Sequence, residues 1–328
     1  MAISGRKTPG SIPRIVCMNS AVCTLFEGDY HYGVGALANS LYEHGYRGTI
    51  YAGYRGELPP WAAGARTIDG YNEFVPAQGL VLRFVPLGVK IHLTNYKPDF
   101  MLSLWQDHCP QAQSFFYFDP DITIMCAWSF FEEWVRGGVA LCADVNPSMP
   151  ANHPIRCAWK QFYLPHGIAF RREPDIYFNG GFFGLRMEQM EFLHCWQRLQ
   201  EMMAPEIGGL QNVNVRDRTY LFHKTDQDAL NVAAMTSESP VSPMGQDGMD
   251  FQYGGGGYVM SHALGAQKPW DKQFMRSLLR RGNPPSRADR LFFKCVKSPI
   301  RLYPSATLSY KRLFLLTASF LGRFMSGI

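Results

Sequence analysis

Asp119 and Asp121 stand one residue apart, with Pro120 between them, directly after the aromatic run Ser114–Phe118. Two carboxylates at that spacing can grip a divalent cation and leave its remaining positions open to the oxygens of a nucleotide diphosphate. An Asp-Pro-Asp triplet also makes an ordinary turn. The elements around the triplet therefore decide which reading holds.

Ser114–Phe118 is apolar and aromatic without interruption after its first residue, as in a central strand buried on both faces, and the two acids close its carboxyl end. Open α/β sheets collect their ligands at that edge. Upstream, residues 15–18 read as a first buried strand, and Val34, Leu37, Ala38 and Leu41 recur at helical spacing before Gly45 and Gly48. Residues 49–52 give a second strand and complete a βαβ opening. A looser stretch rich in Gly and Pro, 53–79, leads to a strand at 80–85 and a helix at 100–105. Beyond the acids the pattern predicts a helix at 128–135, a strand at 139–142, an amphipathic helix at 188–203 and a shorter helix at 226–235. A glycine run, 254–257, precedes a short apolar segment at 258–260, and Pro284-Pro285 marks a linker. No internal repeat is present.

Composition agrees with a globular α/β protein. The 328 residues are 46% hydrophobic and 14% aromatic, with no polar low-complexity tract. The net charge of +5 is too modest for a uniformly basic nucleic-acid binder. From Lys268 onward the only acids are Asp271 and Asp289, so the basic excess sits at the C-terminal end. The eight cysteines are dispersed with no C-x-x-C pair, which argues against a zinc site and a disulfide framework and for reduced, mostly buried thiols. Residues 1–13 include basic side chains but no apolar run after them, so a cytoplasmic location is expected.

Four segments, in order, resemble the GT-A glycosyltransferases and, within them, family 8. Tyr117-Phe118-Asp119-Pro120-Asp121 is similar to the family's metal-binding D-x-D strand, and Tyr177-Phe178-Asn179-Gly180-Gly181 to its Y-F-N-x-G segment. Asp226-Gln227-Asp228-Ala229-Leu230-Asn231 is similar to its D-Q-D-x-L-N helix start. Ser261-His262 through Gly265 to Lys268-Pro269-Trp270 resembles H-x-x-G-x-x-K-P-W. The resemblance spans residues 14–270. It implies a mixed central sheet flanked by helices, with residues 1–280 as the catalytic domain and 281–328 as a basic, aromatic C-terminal helical extension. The implied reaction is transfer of a hexose, galactose or glucose, from a UDP donor to a glycan or glycolipid with retention of configuration.

The resemblance also assigns roles. His262 joins Asp119 and Asp121 as ligands of Mn²⁺ or Mg²⁺, and the cation stabilises the departing nucleoside diphosphate, assisted by Lys268. Asn179 and Gly180 approach the donor sugar, Gly265 shapes the loop before Lys268, and Lys97 is a basic residue near the donor. Asn19, placed at the end of the 15–18 strand, is the nearest polar residue for the base. Asp226 binds donor-sugar hydroxyls, although an acid in a first helical turn is also favoured by the dipole. Gln227 faces the anomeric carbon and stabilises its positive charge, since an amide is a poor nucleophile. An inverting reaction would instead need a carboxylate base, with Asp144 or Asp175 the options, and an inert sugar- or membrane-binding scaffold would keep the fold alone. Acceptor recognition is expected from 146–170 and 208–223, with His153, Trp159 and His166 either sugar contacts or packing residues. The tail from 287 to 323 interleaves basic residues with Phe, Leu and Tyr and has no apolar stretch near the roughly 20 residues of a span. It is expected to rest on the anionic inner face of a membrane, or to pack back on the catalytic domain.

Overall fold

The computed structural model describes residues 19–325 apart from 69, 147, 216 and 252–256. The strand expected at 15–18 and most of the 254–257 glycine run lie outside the described residues. The chain opens with strand β1 (Ser20–Glu27), helix α1 (His31–Glu43) and strand β2 (Gly48–Arg55). The stretch expected to be loose contains two further strands, β3 (Arg66–Ile68) and β4 (Tyr71–Ala77), which run antiparallel to one another ahead of β5 (Leu80–Pro86). Helix α2 (Lys97–Ser103) precedes β6 (Ser114–Phe118), β7 (Ile122–Ile124), α3 (Trp128–Trp134) and β8 (Val139–Ala143). Then come α4 (Pro154–Tyr163), β9 (Phe178–Arg186), α5 (Glu191–Met203), α6 (Thr225–Thr236), β10 (Val241–Met244) and β11 (Met260–His262). Three helices close the chain: α7 (Phe274–Arg281), α8 (Arg287–Lys294) and α9 (Ser305–Met325).

Nine strands form one mixed sheet in the order β10-β8-β9-β6-β1-β2-β5-β4-β3. β6, β1, β2 and β5 are mutually parallel, and β9 runs antiparallel between β6 and β8. The two-residue alternation of a strand sends side chains to both faces, and each face is covered by helices. Val22 and Phe26 of β1 and Phe116 and Phe118 of β6 enter one core with α1, α3 and the three C-terminal helices. Cys23 and Leu25, with Phe115 and Tyr117, enter the other, which α2, α4, α5 and α6 cover. Burial on both sides is why Ser114–Phe118 reads as an unbroken apolar run.

The C-terminal segment is fastened to α1 and to the core beneath it. Asn39 of α1 donates through Nδ2 to the carbonyls of Cys295 and Ile300 at 2.7 and 2.8 Å and accepts from the Ile300 N–H at 2.7 Å. Phe292 and Phe293 of α8 are buried beside Trp270 and Tyr303. Leu308, Leu315 and Ala318 carry the inner face of α9 onto the same core. The seven described cysteines are free thiols.

Candidate active site

The sheet's carboxyl edge gathers the site. β6 ends at Phe118, so Asp119 and Asp121 emerge there. Antiparallel β9 begins at the same edge, with Phe118 opposite Phe182 and the Asp119 N–H donating to the Gly181 carbonyl at 2.7 Å. The segment 177–181 is thus a strand entry rather than a tight turn. The small ladder of β7 and β11 pairs Ile122 with His262 and brings the histidine back to the acids. His262 Nε2 lies 3.2 Å from Asp121 Oδ1 and 3.9 Å from Asp119 Oδ2.

One ligand atom from each of Asp119, Asp121 and His262 lies within 4.8 Å of the others. Two hard carboxylates and a borderline imidazole suit a divalent cation of the Mn²⁺ or Mg²⁺ kind. A cradle without a Cβ supports the fit: a methyl added at Gly181 would stand 2.6 Å from His262 Cε1 and 3.0 Å from Asp119 Oδ2. His262 Nδ1 is buried without a hydrogen-bond partner among the described residues.

Two ammonium groups bracket these ligands. Lys268 Nζ donates to Asp121 Oδ2 at 2.6 Å and to the Ala263 carbonyl at 2.9 Å. Burial alone would raise the Asp121 carboxyl, yet His262 and Lys268 outweigh it and hold it well below the usual carboxylate range. Lys97 is buried and lies 3.2 Å from both Asp119 Oδ1 and Asp226 Oδ2, while donating to the Gly180 carbonyl at 2.7 Å. Burial disfavours its charge, but the two carboxylates more than compensate and raise its pKa. Pro98 does not disturb this residue, because it occupies the first turn of α2, where no N–H is needed.

Asp226 and Gln227 lie in the buried first turn of α6. Burial raises the Asp226 carboxyl despite Lys97. Gln227 is held at both ends: Oε1 accepts from the Gly180 N–H at 2.9 Å, and Nε2 donates to Asp144 Oδ2 at 3.2 Å. Asn179 is engaged likewise, with Nδ2 donating to Asp144 Oδ2 at 2.6 Å and Oδ1 accepting from the Gly181 N–H at 2.8 Å. Its amide is therefore committed within the protein. Asp144, weighed from sequence only as a base, is a buried hub that also accepts from the Asn146 N–H at 3.0 Å. It follows β8 at the same edge as Asp119 follows β6, a strand-end signal present in the sequence.

A cavity of about 270 Å³ opens over these three side chains, lined among others by Phe26, Glu27, Tyr30, His92, Asp119, Asp121, His262 and Lys268. Asn19 is not among them. It precedes β1 instead of following it, eight residues before the strand's carboxyl end, and donates to the Gln111 carbonyl at 3.1 Å. The first strand runs on through Phe26, so Glu27 and Tyr30 replace Asn19 beside the cleft. Gly265 also lies outside the lining; its φ of +94° turns the loop that delivers Lys268. A second cavity, of about 510 Å³, is lined by Asn146, His153, Tyr177, Tyr220, Lys224 and Asp228 among others. His153 belongs to it, whereas Trp159 is in the core and His166 stands exposed against Phe162.

The fold is that of the GT-A glycosyltransferases. Over 94% of its length the chain is similar to the apo structure of the bifunctional glycosyltransferase WbbM, at 14% identity and a TM-score of 0.52. Over 92% it is similar to the glycosyltransferase GlyE of Streptococcus pneumoniae TIGR4, at 16% identity and a TM-score of 0.50. The chain spans 54% of the first of these proteins and 64% of the second. No protein-family model and no curated protein sequence matches it.

Proposed function

We propose that the chain is a metal-dependent glycosyltransferase of the family 8 kind, moving galactose or glucose from UDP to a glycan or glycolipid with retention of configuration. The observation that carries this reading is the convergence of Asp119, Asp121 and His262 beside Lys268, with Asp226 and Gln227 joined to the same cluster through Lys97 and Gly180. A divalent cation bound there supplies Lewis-acid stabilisation of the diphosphate leaving group.

The chain's own residues do the remainder. Lys268 is placed to turn its ammonium from Asp121 to a phosphate oxygen, stabilising charge that grows as the glycosidic bond breaks. Asp226 offers a carboxylate to donor hydroxyls, with Lys97 fixing its orientation. Gln227, pinned by Gly180 and Asp144, presents an oriented dipole to the developing positive charge at the anomeric carbon. Asn179, Gly180 and Gly181 position these groups. The inverting alternative is disfavoured because Asp144 is saturated by donors and Asp175 is exposed.

The outer face of α9 exposes Tyr310, Leu313, Leu316, Phe320 and Phe324, and Arg323 stands among them. No helix among the described residues is long and apolar enough to cross a membrane. This supports α9, at the end of the 281–328 extension, resting on an anionic inner-leaflet surface, where its apolar face would be covered.

The test is UDP release from UDP-galactose and UDP-glucose with Mn²⁺ or with chelator, in the wild type and in Asp121→Ala. Metal-dependent release that Asp121→Ala abolishes is expected. Release indifferent to both metal and substitution would sink the assignment.

A further inference from the structure

The 510 Å³ cavity touches the catalytic cluster at two points. Asn146, in its wall, donates to Asp144, whose other oxygen holds Gln227 and Asn179. Lys224, also in its wall, immediately precedes α6 and places Nζ 3.8 Å from Asp144 Oδ1. A molecule in this cavity is therefore one hydrogen-bonded carboxylate, Asp144, away from Gln227.

The wall chemistry is uneven. Tyr220, half-buried, gives a ring surface of the kind that packs on a sugar ring, with Met149 adding apolar contact. Arg218 faces the same cavity with no carboxylate within ion-pair distance among the described residues, and Lys224 has only its long contact to Asp144. His153 accepts the Ile155 N–H on Nδ1 at 3.3 Å, which leaves Nε2 as a donor when the ring is neutral. The carboxylate in the wall, Asp228, is committed elsewhere: Tyr177 donates to one oxygen at 2.6 Å and the Lys224 N–H to the other at 2.8 Å. Burial raises its carboxyl to about 7, so it opposes an anion with less than a full charge at neutral pH.

We infer that the acceptor is an acidic sugar, carrying a carboxylate or a phosphate that Arg218 and Lys224 receive while its ring lies against Tyr220. This inference rests on the transferase reading above and adds the chemical class of the second substrate.

The test is calorimetric titration of the full chain, saturated with Mn²⁺ and UDP, with glucose, glucuronate, glucose 6-phosphate and inorganic phosphate. One of the acidic sugars should bind about tenfold tighter than glucose, the size of one charge-assisted hydrogen bond. Which one does so names the acid group. Arg218→Gln should erase the advantage and Arg218→Lys should keep part of it. Equal binding of all three sugars, or an advantage that survives Arg218→Gln, overturns the inference. So does inorganic phosphate binding as tightly as the phosphorylated sugar, which would make this a bare anion site. Failure to bind UDP with Mn²⁺ at all would instead defeat the transferase reading, and the inference with it.

Discussion

Gly181→Ala is the sharpest perturbation of the metal site that leaves every ligand in place. Gly181 has no left-handed backbone conformation, so alanine is permitted by the chain and opposed only by its surroundings. The new Cβ would stand 2.6 Å from His262 Cε1, 2.9 Å from Asn179 Oδ1 and 3.0 Å from Asp119 Oδ2. Relief to an ordinary contact of about 3.4 Å requires the imidazole to retreat by roughly 0.8 Å, against a coordination tolerance of about 0.2 Å. His262 and Asp119 would be pushed apart together. The expected result is a loss of about 10- to 100-fold in Mn²⁺ affinity, the range seen when a ligand's supporting contacts are disturbed. Overpacking should also lower stability by about 1–3 kcal/mol.

Gly184→Ala separates the two effects. Its Cβ would meet Phe116 Cδ1 at 2.6 Å and Val135 Cγ1 at 3.0 Å, an equal crowding on the same strand among core side chains only. Mn²⁺ binding in the presence of UDP, followed by calorimetry, and unfolding in urea should be measured for both. Gly184→Ala should lose stability and keep the metal; Gly181→Ala should lose both. Wild-type Mn²⁺ affinity in Gly181→Ala, or equal metal loss in the two variants, would refute the assignment of Gly181 as the cradle of the triad.

Three further outcomes are expected. Lys268→Met should lower kcat for donor turnover about 100-fold, as loss of one transition-state donor does; a steady-state assay finding a change under threefold would remove Lys268 from leaving-group stabilisation. Lys97→Met strands two carboxylates, Asp119 and Asp226, and should destabilise the chain by about 3–5 kcal/mol, read by denaturant unfolding; a loss under about 1 kcal/mol would show that the three groups are not a unit. Asp228 has its pKa raised to about 7 from an ordinary 3.8, so the folded state binds its proton more tightly than the unfolded chain. Its stabilising contribution is whole below pH of about 4 and is lost as pH rises through about 7; Asp228→Asn should flatten the fall in stability between about pH 4 and 7, and parallel curves for the two proteins would contradict it.

The central layer of this fold was legible because burial on both faces leaves an unmistakable mark. Ser114–Phe118 could only be an inner strand, and the acids after it fell where the edge of the sheet must be. The same rule applied to Val139–Ala143 points to Asp144, which went unread as a hub because its work is done through hydrogen bonds across 35 and 83 residues of sequence, to Asn179 and Gln227. β3 and β4 were missed for a different reason. Their residues are largely half-exposed or exposed at the sheet's rim, so no apolar periodicity records them. Asn19 was misplaced through one error of register, since Ser20 and Thr24 interrupt the apolar run that carries β1 to Glu27. The fate of the C-terminal segment was open for the reason that α9 is apolar on two sides. Only the packing distinguishes Leu308 and Leu315, which meet the core, from Leu313 and Leu316, which do not.

Asp144 also bears on how the two halves of the site communicate. One oxygen takes the amides of Gln227 and Asn179, and the other takes the Asn146 N–H beside Lys224, so the groups proposed to face the donor and the acceptor share a single carboxylate. With four donors on its two oxygens, such a group must give up one of them to take a proton from an acceptor hydroxyl, so a base at this place disturbs the hub. Asp144→Asn tests the point, because it keeps the shape while turning one acceptor oxygen into a donor facing either the Asn179 and Gln227 amides or the Asn146 N–H. A base would lose nearly all transfer but leave donor hydrolysis by water at a matching fraction and the acceptor's affinity unchanged. A hub should lose order on both sides, weakening acceptor binding and lowering donor hydrolysis together by about 10-fold or more, the scale of one lost hydrogen bond to a charged group. Unchanged acceptor affinity in Asp144→Asn would defeat the hub and restore the inverting mechanism.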